Sequence, residues 1–287
     1  MVAPARRVRG ALRCIMAARP ATAARLRKRN GSCNWTWACF AALLFCASTT
    51  LAIVICASMS SKGGMPMPGG WTMSMAWARM CGQTWSGAAA AFAGMWTAMT
   101  AAMMLPALLP VLWRWHVVWA GAAPLRFVVL MGAGYFAVWI AVGMAVYPLG
   151  AGVAALLVQL APLARAAPLA SGLIVVLAGG FQLSAMKARY LACCRAMPRC
   201  REATPFACFA PLCRGMRHGV HCCGCCAGLT AMLLAVGIMN GWAMAFATLA
   251  IAAERFARDG RQVARIVGAL LLVIGIALIV RAALAWA

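Results

Sequence analysis

Long apolar runs separated by short basic segments are the dominant pattern along this chain. Five runs approach the ~20 residues that cross a bilayer: about 35–59, 88–112, 127–147, 169–186 and 266–286. A sixth run, 220–253, is too long for one untilted span, and Gly237 to Gly241 supplies turn residues at its middle. We expect a tight pair of short helices there, with one long kinked helix as the alternative. The pattern predicts an all-α protein: a polytopic transmembrane helix bundle with about seven spans (six to eight).

The segment 149–165 does not fit this pattern as a span. It contains Gln159, Pro162 and Arg165, and it is too short and interrupted to cross the membrane. We therefore predict a helix lying on the outer surface. A further span would also move the basic segment 187–217 to the outside, against the positive-inside rule.

The composition supports a membrane protein. Hydrophobic residues make up 66% of the 287 residues and charged residues only 10%, whereas a soluble domain carries about 25% charged residues. The net charge of +23 is best explained as a topology signal, so we expect no nucleic-acid partner. The three Asp and Glu residues argue against paired-carboxylate catalysis, and we expect no enzyme.

The positions of the basic residues predict the orientation. The proposed topology leaves Lys62, Arg79, Arg165 and Arg281 outside and the other 22 of the 26 basic residues inside, with the N-terminus inside. Residues 1–33 are then a basic cytoplasmic tail, and 34–287 form a single helical membrane domain. The expected location is a bacterial inner (plasma) membrane, with the bilayer as the first partner.

Two groups of methionines are candidate metal ligands. The predicted outer loop 61–86 carries Met65, Met67, Met73, Met75 and Met80, and the next span carries Met95, Met99 and Met103 on one helical stripe. Thioether sulfur binds Cu(I) without deprotonation, so it works in an oxidising compartment. The alternatives are an interfacial patch for the loop and ordinary bundle packing for the stripe.

Cysteines and histidines cluster where the predicted inner loop 187–217 meets the membrane. On a helix, His218, Cys222 and Cys225/Cys226 share one face, and His221 with Cys225 forms a second pair. Thiolate and imidazole ligands suit a soft or borderline metal, and we favour Cu(I) over zinc. A cytoplasmic position would keep these thiols reduced. The alternative is that they are small buried apolar side chains, which we adopt for Cys223.

Several motifs together resemble a bacterial family known only as predicted metal-binding integral membrane proteins, some of which are labelled copper chaperones. The matching residues are GWTMSMAW (70–77), GMW (94–96), AMMLP (102–106), Gln182, Lys187, Cys194-Arg195, GMRHG (215–219), Cys222-x-Gly-Cys-Cys226 and Gly237-x-Met-Asn240. The resemblance implies a helical, membrane-embedded protein rich in Met and Cys, with His218, Cys222, Cys225 and Cys226 as its core and Cys194 as a further candidate.

The chain departs from the family pattern at three positions. Tyr190 stands where a cysteine is usual, His221 replaces a usual tyrosine, and Ala227 replaces a usual tryptophan. The first departure weakens a ligand role for the cysteines of the inner loop. The second adds a potential ligand to the cluster.

These features predict an integral membrane protein that handles Cu(I) by transport, chaperoning or delivery. Copper would enter at the Met-rich outer segment and be held by the Cys/His cluster at the inner face. One alternative is a membrane thiol–disulfide redox protein, in which cysteine pairs cycle. Another is an assembly subunit that delivers copper to a copper-dependent partner oxidase. The three histidines lie near one predicted membrane face, which disfavours a bis-histidine haem site.

Overall fold

The structure is a computed structural model that describes residues 39–40, 42–55, 57–58, 64–77, 79, 82–118, 125–195 and 210–285. The helices are α1 (Ala42–Ile55), α2 (Trp85–Val118), α3 (Leu125–Gln159), α4 (Ala161–Leu183), α5 (Ala185–Arg195), α6 (Ala210–Val236), α7 (Gly241–Phe256) and α8 (Gly260–Leu284). The strands β1 (Met65–Met67) and β2 (Trp71–Met73) form an antiparallel hairpin, followed by one turn of 3-10 helix, Met75–Trp77. The all-α prediction is confirmed. The predicted tail 1–33 and Met80 lie outside the described residues.

Five of the helices in the described ranges are long and apolar enough to cross a membrane: α2, α3, α4, α6 and α8. Two further apolar helices are shorter, α1 (Ala42–Ile55) and the 16-residue α7. The chain is therefore consistent with a multi-pass membrane protein. The total of seven spans and the inside position of the N-terminus stay predictions.

The predicted surface helix at 149–165 is wrong. Helix α3 continues without interruption to Gln159, and only Leu160, with φ −116° and ψ 91°, leaves the helical conformation. Pro162 then lies in the first turn of α4, where its missing N–H costs no helical hydrogen bond. In a continuous helix the backbone N–H and C=O groups are hydrogen-bonded to each other, so an apolar environment favours a helix over an irregular segment. The interruption between the two helices is therefore the single residue Leu160, and not the longer interrupted stretch that the sequence pattern predicted.

The predicted pair of helices at 220–253 is confirmed. Gly237 adopts φ +121°, a conformation that favours glycine, and so ends α6. Asn240 caps α7 by accepting hydrogen bonds from the backbone N–H of Trp242 and Ala243. The first helix of the pair is longer than expected, because α6 begins at Ala210 and includes the end of the basic segment.

Close packing of α3 on α6 positions the candidate site. A Cβ atom at Gly134 would clash with the backbone carbonyl of Leu212, and one at Gly215 with that of Met131. Small residues at such crossings let two helix backbones approach closely. The contact fixes Tyr135, which follows Gly134, against the middle of α6. The described residues from Phe45 onward form one compact unit.

Candidate metal centre

Cys222 lies at the centre of a buried cluster formed by α2, α3, α6 and α7. Its side chain is 1% exposed. The Sγ atom is 3.0 Å from the Tyr135 hydroxyl and accepts a 3.0 Å hydrogen bond from Nη2 of Arg255. Two more sulfur atoms lie close: Cys226 Sγ at 4.0 Å and Met104 Sδ at 3.9 Å. A guanidinium at this distance favours the thiolate form of the sulfur, which is the form that binds metals.

Two of the distances among these three sulfurs suit a small soft ion, and we call the set Cys222, Cys226 and Met104 the sulfur triangle. Three sulfurs held ~2.3 Å from a central metal in one plane would be ~4.0 Å apart. The Cys222–Met104 and Cys222–Cys226 distances of 3.9 Å and 4.0 Å match two edges of that triangle. Met104 and Cys226 are each 1% exposed, so water is largely excluded. Two thiolates and a thioether are ligands that select Cu(I) over harder cations.

A second pair of thiols continues from this cluster toward α5. Cys225 interacts with Cys226 on its own helix and with Cys194 of α5. Cys194 is 3% exposed, so the helix places it against the cluster although it belongs to the predicted inner loop. The interaction with Cys225 and burial raise the pKa of the Cys194 thiol. The four buried cysteines therefore lie near one another, and we call them the sulfur row.

A buried ion pair supports the row from the side of α5 and α7. Lys187 Nζ donates at 2.7 Å to Glu254 Oε2 and at 2.7 Å to the carbonyl oxygen of Cys225. Gln182 donates to the second carboxylate oxygen at 2.9 Å. Burial lowers the pKa of Lys187, but the negative charges of Cys225 and Glu254 outweigh burial, and the net pKa is raised. The lysine is thus a fixed cation that holds the backbone of Cys225.

Sequence reasoning missed three members of this site. Tyr135 and Arg255 carry no motif of their own, and Met104 entered only as part of the family motif AMMLP (102–106). One signal was available for Glu254, because it is one of only three acidic residues. An ionisable group in an apolar segment usually has a partner or a function. Lys187 belonged to the family motif, but its partner became visible only in the fold.

The two predicted histidine ligands lie beside the sulfur row. His218 is one turn before Cys222, and its ring packs on Tyr135 with the ring centres 5.7 Å apart. The centre of the His221 ring lies 6.3 Å from that of Tyr190, and its Nδ1 has no hydrogen-bond partner in the part of the chain that the structure describes. No contact between either imidazole and a cysteine sulfur is among the hydrogen bonds of the described residues. Both histidines stay predictions as ligands.

The methionine stripe of α2 is mostly buried. Met95 and Met99 are 4% and 2% exposed, and Met103 is half-buried. Met99 and Met103 line a cavity of about 20 Å³ together with Thr100, Thr230 and Trp139. The indole N–H of Trp139 has no partner among the described residues, and the cavity is about the size of one water. Thr230 is one turn beyond Cys226, which places the cavity next to the sulfur cluster.

The methionines of the outer segment pack in the β-hairpin. Met65 lies directly opposite Met73, and Met67 opposite Trp71. Met67 and Met73 are buried against Ala154 and Ala164, whereas Met65 is 37% exposed. The Trp71 indole donates to the Ala164 carbonyl at 2.9 Å, which anchors the hairpin near the α3–α4 junction. The backbone of Met75 is described, and its side chain lies outside the described part.

Within the ranges that the structure covers, no three His, Cys, Asp or Glu side chains converge as a metal site. The sulfur triangle therefore needs the thioether of Met104 as its third member.

Comparison with known proteins gives one match. The family model PpoB2, described as a copper chaperone, matches residues 93–278. No curated protein and no solved structure matches the chain. The matched range contains Met104, Tyr135, Cys194, the cysteines of α6 and Arg255.

Proposed function

This chain belongs to the PpoB2 copper chaperone family, and from that premise we propose that it binds Cu(I) within the membrane and hands it on. Cys222, Cys226 and Met104 are the primary ligands. Cys225 and Cys194 receive the ion next. The observation that carries this proposal is the buried sulfur triangle around Cys222, with its edges of 3.9 Å and 4.0 Å.

The charges around the triangle favour a monovalent ion. Two thiolates and Cu(I) sum to one negative charge, and the Arg255 guanidinium beside Cys222 offsets it. A divalent ion would leave an excess positive charge next to Arg255, in a site with little water to screen it.

The row of sulfurs suggests a direction of increasing affinity. Met99 and Met103 offer neutral thioethers, the triangle adds two thiolates, and Cys225 with Cys194 offers thiols alone. Each step replaces a weaker Cu(I) ligand with a stronger one. Exchange between neighbouring ligand sets needs no free ion in the apolar interior. Copper captured outside by Met65 and its neighbours would therefore move toward α5 and the inner side.

Delivery from the inner end is the step that makes the protein a chaperone. Cys194 lies next to the exposed Cys193 on α5, so a partner's thiolates could reach this end of the row. A copper-dependent partner protein or a soluble copper carrier would then take the ion by ligand exchange. This proposal covers transport and delivery to a partner, since both use the same row.

The direct test is Cu(I) affinity, measured anaerobically by competition with a chromogenic Cu(I) chelator. Cys222→Ser and Cys223→Ser form a matched pair, because they change adjacent cysteines and only Cys222 belongs to the triangle. We expect Cys222→Ser to weaken binding at least a hundred-fold, about 2.7 kcal/mol. Cys223→Ser should change it less than three-fold. Equal affinity in wild type and Cys222→Ser would refute the site.

Movement of copper is tested separately in proteoliposomes. Substituting Met99 and Met103 with leucine keeps the volume of the stripe and removes both thioethers. We expect slower copper entry with unchanged equilibrium binding at the triangle. An unchanged rate of copper entry would show that Met99 and Met103 are not on the route, and it would not affect the proposal that the sulfur triangle binds copper.

A further inference from the structure

A second cavity is lined by residues of α4, α5 and α8. It has a volume of about 200 Å³. One water needs only ~15 Å³ of such volume, so the cavity has room for a polar group of several heavy atoms. Its lining includes Gln182, Ser184, Lys187, Arg261 and Arg265.

The lining presents positive charge. Arg261 and Arg265 are one turn apart on α8, so both side chains face the cavity. Neither forms an ion pair among the residues that the structure describes. Asp259 lies nearby, but its carboxylate caps the N-terminus of α8 through the N–H groups of residues 261 and 262. The cavity also adjoins the N-terminus of α5, whose dipole attracts anions.

Gln182 closes the inner wall of the cavity. It is 2% exposed, its amide nitrogen donates to Glu254, and its Oε1, which has no hydrogen-bond partner among the described residues, is itself buried. The charged groups that a ligand reaches most directly are the exposed Arg261 and Arg265. A ligand for this cavity therefore carries negative charge.

We propose that this cavity binds a phosphate ester, such as the glycerol phosphate headgroup of an anionic phospholipid. The phosphate lies between Arg261 and Arg265. Leu183 also lines the cavity, and Leu183, Met186 and Ile266 are exposed. The acyl chains of the lipid would pack against these apolar side chains, next to the bound headgroup. Basic pockets between transmembrane helices are a common form of lipid recognition.

This inference is independent of the copper proposal, although the two sites share a wall. Lys187 and Gln182 line the cavity, and both bind Glu254; Lys187 also binds the Cys225 carbonyl. Occupancy of the cavity would hold this wall in place and stabilise the bundle.

The test is lipid binding to the purified full-length protein in detergent, followed by native mass spectrometry. The variants are Arg261→Gln/Arg265→Gln and the matched control Arg189→Gln/Arg258→Gln. The control removes the same charge from exposed arginines that do not line the cavity. With about a five-fold contribution from each arginine, the first variant should bind phosphatidylglycerol about twenty-five-fold more weakly. The control should stay within about three-fold.

A third variant, Ala188→Leu, fills the cavity without changing any charge, and we expect it to abolish binding. Glycerol phosphate in solution separates the two sources of the headgroup. If glycerol phosphate binds as tightly as the lipid, the cavity is assigned to a soluble ester. If tight binding requires the acyl chains, the cavity is assigned to the lipid. Equal weakening by both double variants, or equal binding of phosphatidylcholine and phosphatidylglycerol by wild type, overturns the proposal.

Discussion

The buried pair Lys187–Glu254 gives the sharpest prediction about stability. Both side chains are 1% exposed, and the nitrogen and oxygen are 2.7 Å apart. At an effective dielectric constant of about 20, two charges at that distance attract by about 6 kcal/mol, much of which offsets the desolvation of both. Lys187→Met removes the attraction and leaves the carboxylate buried with Gln182 alone. We expect the free energy of unfolding to fall by about 3–5 kcal/mol.

Replacing both partners should cost less than replacing one. In Lys187→Met/Glu254→Gln no charge remains, and the amide at 254 can still accept the hydrogen bond from Gln182. We expect a loss of about 1–2 kcal/mol, the scale of one buried hydrogen bond. Glu254→Gln alone leaves the ammonium unpaired and should cost about as much as Lys187→Met. The double variant is therefore expected to be more stable than either single variant.

The assay is unfolding in mixed micelles by titration with sodium dodecyl sulfate, followed by tryptophan fluorescence. Arg189→Met serves as the control, because Arg189 is an exposed cation on the same helix. It should change the unfolding free energy by less than about 0.5 kcal/mol. A double variant whose loss equals the sum of the two single losses would mean that the residues do not interact, and would refute this reasoning.

Three further predictions concern the surroundings of the site. Gly134→Ala should destabilise the protein by about 1–3 kcal/mol, because the new methyl group meets the backbone of α6. Gly132→Ala places its methyl group in open space and should be neutral or stabilising. Thermal unfolding compares the two variants, and equal transition temperatures would contradict the close packing. Asn240→Ala should cost about 1 kcal/mol by removing the cap of α7, and Asn240→Asp should retain most of it; equal losses would argue against the cap. Cys193 should react with iodoacetamide much faster than Cys194. Cys193 is exposed, whereas Cys194 is buried and its raised pKa suppresses the reactive thiolate. Equal labelling of the two cysteines in peptide mass spectra would argue against the packing of α5.

Much of the fold was predictable because one physical signal dominates it. Apolar runs separated by basic segments indicate membrane helices, and the turn at 237–241 was visible from Gly237 and Asn240. The surface helix at 149–165 was wrong because Pro162 and Gln159 were read as breaking a longer stretch. In the structure a single residue, Leu160, absorbs the break. Local sequence patterns locate such junctions poorly, since tertiary packing selects the residue that leaves the helix.

The candidate site was only partly predictable. Helical spacing placed Cys222 and Cys226 on one face, and the structure keeps them one turn apart with their sulfurs 4.0 Å apart. The partners from other helices, Tyr135, Met104 and Arg255, depend on how α2, α3 and α7 pack on α6. No periodicity within one segment contains that information. These partners matter chemically, because they add a thioether and a guanidinium to the surroundings of Cys222.

The central claim is that three sulfur atoms from Cys222, Cys226 and Met104 hold Cu(I). X-ray absorption at the copper K-edge of the Cu(I)-loaded protein tests it most directly. We predict a three-coordinate, all-sulfur shell at ~2.3 Å, which loses one sulfur in Met104→Leu and keeps all three in Met144→Leu, an exposed methionine of α3. Outer-shell scattering from imidazole, or a shell unchanged by Met104→Leu, would contradict the account.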